Sequence, residues 1–201
     1  MLQRKWLPRQ LLLRQDNHLR IALSTVSATI SDTMGDHLKT PAFLAFYGLL
    51  QVEARTIDRI APVLEARTGL PMGWYEVIAC LVGAPEEGRR MNELADELLV
   101  SRGGATRLVA RMEDAGLVER ITPPEDRRAT YARLTDAGRE AEVTASPVLL
   151  ELVEEQFGRH LDEDDLAALA RISAKLLRST GENCVWLDMA AAAGVAGATP
   201  E

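Results

Sequence analysis

The chain carries little of what most enzymes need. Its 201 residues include two cysteines and three histidines, and aromatic residues make up only 4%. Cys80 and Cys184 lie far apart with no CxxC spacing. That speaks against a disulfide framework and suits a reducing, cytoplasmic compartment. His18, His37 and His160 share no metal-ligand spacing, so no metal site is expected. No Ser/His/Asp set, paired carboxylates or phosphate loop is visible, and neither a cofactor nor enzymatic activity is expected. Long apolar runs are also missing. Leu11-Leu12-Leu13 is flanked by arginines and is too short for a membrane span or a signal peptide. Positive charge is scarce as well: 23 Lys and Arg against 30 Asp and Glu leave a net charge of −7. Global attraction to nucleic acid is thereby excluded, but a local basic patch is not.

With 47% hydrophobic residues, the chain has enough material for one substantial core. The most informative stretch runs from Met91 to Leu134. It reads as two short helices joined by a tight turn, followed by a β-hairpin. The spacing of Leu94, Ala95, Leu98 and Leu99 predicts a first helix that buries these residues, with its cap near Asn92. Ser101 is placed to cap a second helix over 101–115, which turns Ala105, Leu108, Val109 and Met112 inward. Ser101, Arg102, Thr106, Arg107 and Arg111 then fall on or beside the outer face. Gly103 and Gly104 are poor helix formers, but a first turn without side chains lets backbone N–H groups approach a phosphate. Gly116 is the expected left-handed stop.

Leu117–Thr122 and Ala129–Leu134 are strand-length runs with β-branched and aromatic members. Between them, Pro123 and Pro124 lift a tip carrying Asp126, Arg127 and Arg128. An arginine braced by a neighbouring aspartate suits the strong negative potential of a narrow minor groove. Residues 101–133 hold seven Arg against five Asp or Glu, a local excess of two positive charges in an acidic chain. Helix, turn, helix and wing in this order place one helix in the major groove and a basic loop in the minor groove. An ordinary helical hairpin with a solvated loop is the bland alternative.

Residues 72–138 resemble the winged helix-turn-helix of the MarR family (multiple antibiotic resistance regulators). The strings SRGGATRLVARMEDAGLVER and PEDRRATYARLTDAGR carry the resemblance, with the D-x-R wing pattern on Asp126 and Arg128. Leu99 departs from the general pattern, since many helix-turn-helix turns carry glycine there. The resemblance implies a mainly α fold with a small β-hairpin wing, flanked by long dimerisation helices. The recognition residues it implies are Ser101, Arg102, Gly103, Thr106, Arg107, Arg111, Asp126, Arg127 and Arg128. It further implies a homodimer on double-stranded DNA with a palindromic operator, more often as a repressor. Relatives bind small aromatic or phenolic effectors where the dimer helices meet the DNA-binding lobe, and Tyr47, Trp74 and Tyr75 are the candidates for that pocket. Some relatives sense oxidants through a cysteine on the first long helix, but 42–69 contains none. Cys80 lies on an apolar helix face with Trp74, Val77, Ile78 and Leu81, which favours core packing.

The flanks supply the remaining organisation. Phe43, Tyr47, Leu50, Ala54, Ile57, Ala61 and Leu64 form a heptad-like seam over 42–69, with Pro62 expected to kink the helix or mark its last turns. Thr135–Phe157 reads as a second long helix bent near Pro147. Asp162 caps a third, expected to bury Leu166, Leu169, Ile172, Leu176 and Leu177. The division is therefore an extension over 1–41, a MarR-type domain over 42–179 with its winged part at 72–134, and a tail over 180–201. The extension is open to three readings: a basic arm on DNA, an extra dimer-clasping helix, or a segment upstream of a true start at Met34. Residues 188–201, rich in Ala and Gly, read as a disordered tail. Two other functions stay open: an effector-independent architectural DNA binder, and a winged domain used for protein contact.

Overall fold

A computed structural model describes residues 40–122, 129–181 and 184–195. The first long helix, α1 (Pro41–Thr68), starts with Pro41 in its first turn and the Thr40 hydroxyl accepting from the Phe43 N–H at 3.3 Å. It continues past Pro62 to a left-handed stop at Gly69, so the proline marks the last turns rather than an end. Helix α2 (Met72–Val82) follows and turns Val77, Ile78 and Leu81 into the interior. A short strand, β1 (Arg89–Arg90), leads directly into α3 (Met91–Glu97), and α4 (Arg102–Asp114) lies beyond a tight turn. Strands β2 (Val118–Ile121) and β3 (Tyr131–Leu134) form the hairpin. Helix α5 (Asp136–Gln156), a 3-10 turn at Gly158–His160, α6 (Glu163–Arg178) and α7 (Val185–Ala192) complete the order.

The sheet is antiparallel in the order β1-β3-β2, pairing Arg89 with Ala132 and Val118 with Leu134. One core joins all the pieces of the winged lobe. Leu64 of α1, Val77 and Ile78 of α2, Leu94 of α3, Val109 and Met112 of α4, Val118 and Leu134 of the hairpin, and Leu152 of α5 meet there. Thr135 couples three of these elements. Its hydroxyl donates to the Gly116 carbonyl at 2.6 Å and accepts from the Gly138 N–H at 3.1 Å. It thus caps α5 while holding the end of α4. Gly138 itself is buried, and a Cβ there would collide with the Leu117 carbonyl oxygen, so α5 approaches the hairpin as closely as backbone allows.

The helices outside the lobe bury much less. Leu44, Phe46, Leu49 and Val52 on the first half of α1 are all exposed. On α6, Ala174 is the only buried residue, and Leu166, Ile172 and Leu176 face solvent while Leu169 and Leu177 are half-buried. The expected burial of that leucine face therefore does not occur among the described residues. The C-terminal segment also differs from its reading as a tail. Helix α7 forms at 185–192 and seats Leu187 and Ala190 against Ala174 of α6. No helix among the described residues is long and apolar enough to cross a membrane.

Candidate nucleic-acid interface

The reading head is the α3–α4 pair. Its entry differs from expectation: Arg90, at the end of β1, occupies the position before α3, and Asn92 lies inside the helix. Strand pairing to β3 sets this start, because the Met91 N–H donates to the Thr130 carbonyl at 2.9 Å. Leu94 and Ala95 are fully buried, as a steep helix crossing requires, and Leu98 is half-buried. Leu99 is not buried but 49% exposed, and it holds φ at 56°. It closes α3 as a glycine would: its N–H bonds the Asp96 carbonyl at 3.1 Å, and the Val100 N–H bonds the Ala95 carbonyl at 3.0 Å. The sequence departure at Leu99 thus leaves the turn geometry intact.

Helix α4 starts where its cap predicts. The Ser101 Oγ accepts from the Gly104 N–H at 3.1 Å, and a Cβ at Gly104 would press to 3.2 Å from that oxygen. The cap engages one of the first-turn amides that the glycines were expected to offer to a phosphate. The amides of Arg102 and Gly103 remain at the helix end. Ala105, Val109 and Met112 are fully buried, with Leu108 half-buried, so the opposite face is fixed outward. Arg102, Gly103, Thr106, Arg107 and Arg111 are all exposed on it. The Thr106 hydroxyl donates to the Arg102 carbonyl at 2.8 Å, which sets its rotamer. The helix ends at Gly116 (φ 74°), with the Leu117 N–H bonded to the Met112 carbonyl at 2.9 Å.

The arginines of this region divide into two groups. Arg120 donates to Glu113 at 2.7 Å and Arg133 to Glu119 at 2.6 Å, so both are neutralised at the base of the hairpin. Arg120 and its own backbone N–H hold the Glu113 carboxyl below its ordinary value. Arg102, Arg107 and Arg111 have no carboxylate partner among the described residues. Among the described residues of this region, the positive charge left uncompensated therefore lies on the exposed face of α4. Of the remaining recognition candidates, Asp126, Arg127 and Arg128 lie outside the described residues.

Two arginines that sequence reasoning passed over flank this site. The Arg90 Nε donates to the Tyr131 hydroxyl at 2.7 Å, and its guanidinium lies 5.4 Å from the ring centroid, joining the start of α3 to the wing strand. Arg89 has its Nε buried without a hydrogen-bond partner among the described residues. The only sequence signal was the Arg-Arg pair itself, since two residues without β-branched side chains do not announce a strand.

The pocket candidates have different neighbours. Trp74 and Tyr75 both pack against the lobe core, and Tyr75 and Ser146 share a hydrogen bond of 3.0 Å. Because Ser146 donates its proton to Glu142 at 2.6 Å, the Tyr75 hydroxyl is the donor in that pair. Tyr47 instead stacks on Phe43, with ring centroids 5.9 Å apart. No ring contact among the described residues joins Tyr47 to Trp74 or Tyr75. Nearby, burial pushes the Cys80 thiol up to about 11, helped by the charges of Glu97 and Glu76 and opposed by Arg89. A thiol held protonated in this way is a poor nucleophile, in keeping with a packing role. Burial, then the charge of Glu53, also raises Glu76 above its ordinary value.

Three helices and a three-stranded sheet around an exposed basic helix define a winged helix-turn-helix protein. A family model described as the MarR family matches residues 68–129. The HTH-type transcriptional regulator FarR of Neisseria gonorrhoeae is 30% identical over 136 residues, covering 64% of this chain and 90% of FarR. The structure is similar to Sco3205, a MarR family transcriptional regulator of Streptomyces coelicolor solved in complex with DNA (TM-score 0.62, 26% identity, 68% of this chain and 85% of that one). It is also similar to the transcriptional repressor CouR bound to a 23-mer DNA duplex (TM-score 0.57, 25% identity, 72% and 97% covered). This chain belongs to the MarR family of DNA-binding transcriptional regulators.

Proposed function

We propose that the chain is a cytoplasmic, homodimeric, ligand-responsive repressor that reads a palindromic operator. The observation that carries the DNA reading is the set of three uncompensated arginines on the exposed face of α4. Ser101, Arg102, Thr106 and Arg107 supply contacts to base edges, and Gly103 lets the helix end approach the backbone. Arg111 contacts phosphate, while Asp126, Arg127 and Arg128 form the minor-groove wing. Sco3205 and CouR, each solved with DNA, support this assignment. A homodimer is supported by the apolar side chains that α1 and α6 leave exposed, a surface whose burial by a second copy fits a two-fold operator. A small aromatic or phenolic effector, bound near Tyr47, Trp74 and Tyr75, relieves repression by favouring the arrangement that does not fit DNA.

Titration of Arg102→Ala, Arg107→Ala and Arg111→Ala against specific and scrambled duplexes at several salt concentrations tests the assignment. Loss of Arg102 or Arg107 is expected to cost about 1–3 kcal/mol and relax sequence preference. Loss of Arg111 should weaken binding evenly and reduce the salt slope by about one. Wild-type binding by all three variants would refute the reading. Operator affinity that no phenolic compound alters would favour the effector-independent architectural binder instead.

A further inference from the structure

Glu97 and the N-terminus of α7 are each poorly placed on their own. Glu97 is the last residue of α3, where its carboxylate faces the negative end of its own helix. Helix α7 begins after Cys184, whose side chain provides no cap; its carbonyl takes the Leu187 and Asp188 amides, which leaves the Val185 amide without a local acceptor among the described residues. The fold settles both mismatches with one bond: the Val185 N–H donates to the Glu97 Oε1 at 2.9 Å across 88 positions. A carboxylate that is unfavourable at one helix end becomes favourable at the start of another.

The rest of α7 is anchored elsewhere. Leu187 and Ala190 are buried against Ala174 of α6, with Leu177, Trp186 and Val195 packed around them. The far end closes properly, since Gly194 is left-handed (φ 77°) and the Val195 N–H bonds the Ala190 carbonyl at 2.8 Å. One side of α7 is therefore seated on the α6 arm by apolar packing. The other is tied to α3, which packs against the reading helix α4 and buries Ala95 completely.

We infer that α7 is an internal strap, with Glu97 as its anchor, that ties the α6 arm to the α3–α4 reading head and holds the head's orientation. Its consequence for operator affinity rests on the DNA-binding function proposed above. A strap of this kind gives the arm a mechanical route to the head that does not pass through the lobe core. Glu97 acts here as a positioning residue.

The donor can be deleted with little other damage. Val185 is the first helical residue of α7, where proline is well tolerated, and Cys184 before it is already extended (φ −143°, ψ 154°), as proline demands. Val185→Pro, Glu97→Ala, Glu97→Gln and the Val185→Pro/Glu97→Ala double variant of the full chain are compared by amide hydrogen exchange and by operator titration. Val185→Pro and Glu97→Ala are each expected to speed exchange in α7 and also in α3 and the first turn of α4. The double variant should be no worse than either single one, and Glu97→Gln, which keeps an acceptor, should retain most of the protection. Operator affinity should fall about three- to tenfold, less than the full effect of losing a charge-assisted hydrogen bond, because only part of that bond bears on the head's orientation. Faster exchange confined to α7, additive effects, or no change would overturn the strap. Exchange does not depend on DNA, so a parent protein that binds no operator would refute the proposed function while this test still decides the strap. Altered exchange in α4 with unchanged operator affinity would overturn the strap's link to DNA reading.

Discussion

In the winged lobe, Leu64, Ile78, Leu94 and Met112 are within 1% of complete burial, whereas α6 buries only Ala174 and leaves Leu166, Ile172 and Leu176 38%, 44% and 52% exposed. Both regions have apolar residues at helical spacing, and among the described residues only the lobe finds partners for most of them. In the lobe, α2, α3, α4, parts of α1 and α5 and the sheet close on one core, so each apolar face meets another. Helix α6 has α7 for a neighbour, and α7 covers Ala174 and Leu177 while the rest of the stripe stays open. Apolar periodicity reports that a face will be covered, but not by which chain.

The strongest way to sharpen this contrast is a pair of substitutions. Leu94→Ala removes a fully buried side chain at the junction of α3 with the lobe, and is expected to cost about 2–5 kcal/mol in urea unfolding. Leu176→Glu places a charge on the open stripe of α6. It should leave the lobe's near-UV signal unchanged but raise the dimer dissociation constant at least tenfold, on the order of 1.4 kcal/mol, in sedimentation experiments. A Leu176→Glu variant that unfolds like Leu94→Ala would show that α6 is part of the protomer core. A wild-type protein that sediments as a monomer at high concentration would remove the partner chain from the comparison altogether.

These two regions also differ in how far they can be read from residues alone. The caps at Ser101 and Asp162 were legible because a short oxygen-bearing side chain before an apolar-periodic run satisfies a specific helix amide. Each accepts such a bond, from Gly104 and Asp165 respectively. The outward arginines of α4 followed from the inward set Ala105, Val109 and Met112. Strand β1 was not legible, since Arg89-Arg90 becomes a strand only by pairing with Tyr131 and Ala132, some forty residues on. Helix α7 was read as a tail because its Ala-rich composition is ambiguous, and its seat on Ala174 and its anchor at Glu97 are tertiary facts. Leu99 was assigned to the core by spacing, but the left-handed turn it occupies swings it outward. The pocket candidates differ in their neighbours, Tyr47 stacking on Phe43 while Trp74 and Tyr75 pack on the lobe core, a difference that aromatic type alone does not announce.

A smaller effect probes the seam between arm and lobe. Glu76 of α2 holds its proton more tightly in the folded state than an ordinary glutamate, because of burial first and the Glu53 carboxylate second. The sign follows from linkage. A carboxyl whose folded pKa lies above its unfolded value favours folding at low pH, and that contribution is lost as pH rises through the folded value. Glu76→Gln should therefore unfold at higher urea than the parent at neutral pH. The difference should vanish below the ordinary glutamate value of about 4.3. Glu53→Gln should lower the pH at which Glu76 titrates. A Glu76→Gln protein less stable than the parent at neutral pH would mean that the carboxylate has a cationic partner, such as one supplied by a second copy.

The smallest expected effect lies at the turn between the two helices of the reading head. Leu99 occupies the left-handed region, where a side chain with a Cβ costs about 1–2 kcal/mol and glycine costs nothing. Leu99→Gly releases that strain. The added freedom of glycine in the unfolded chain returns about 0.4–1 kcal/mol, and the half-exposed leucine side chain gives up little packing. The net should be a gain of about 0.5 kcal/mol, with Leu99→Asn in between because asparagine tolerates this conformation. Operator affinity should not move, since the bonds that close α3, from the Leu99 and Val100 amides to the Asp96 and Ala95 carbonyls, are made by backbone in either case. If Leu99→Gly weakened operator binding or loosened the dimer while raising or preserving protomer stability, the exposed leucine would be a contact with DNA or with the second copy. Its retention at a strained position would then be explained by that contact, and the turn would belong with the open apolar surfaces of the arms rather than with the closed core of the lobe.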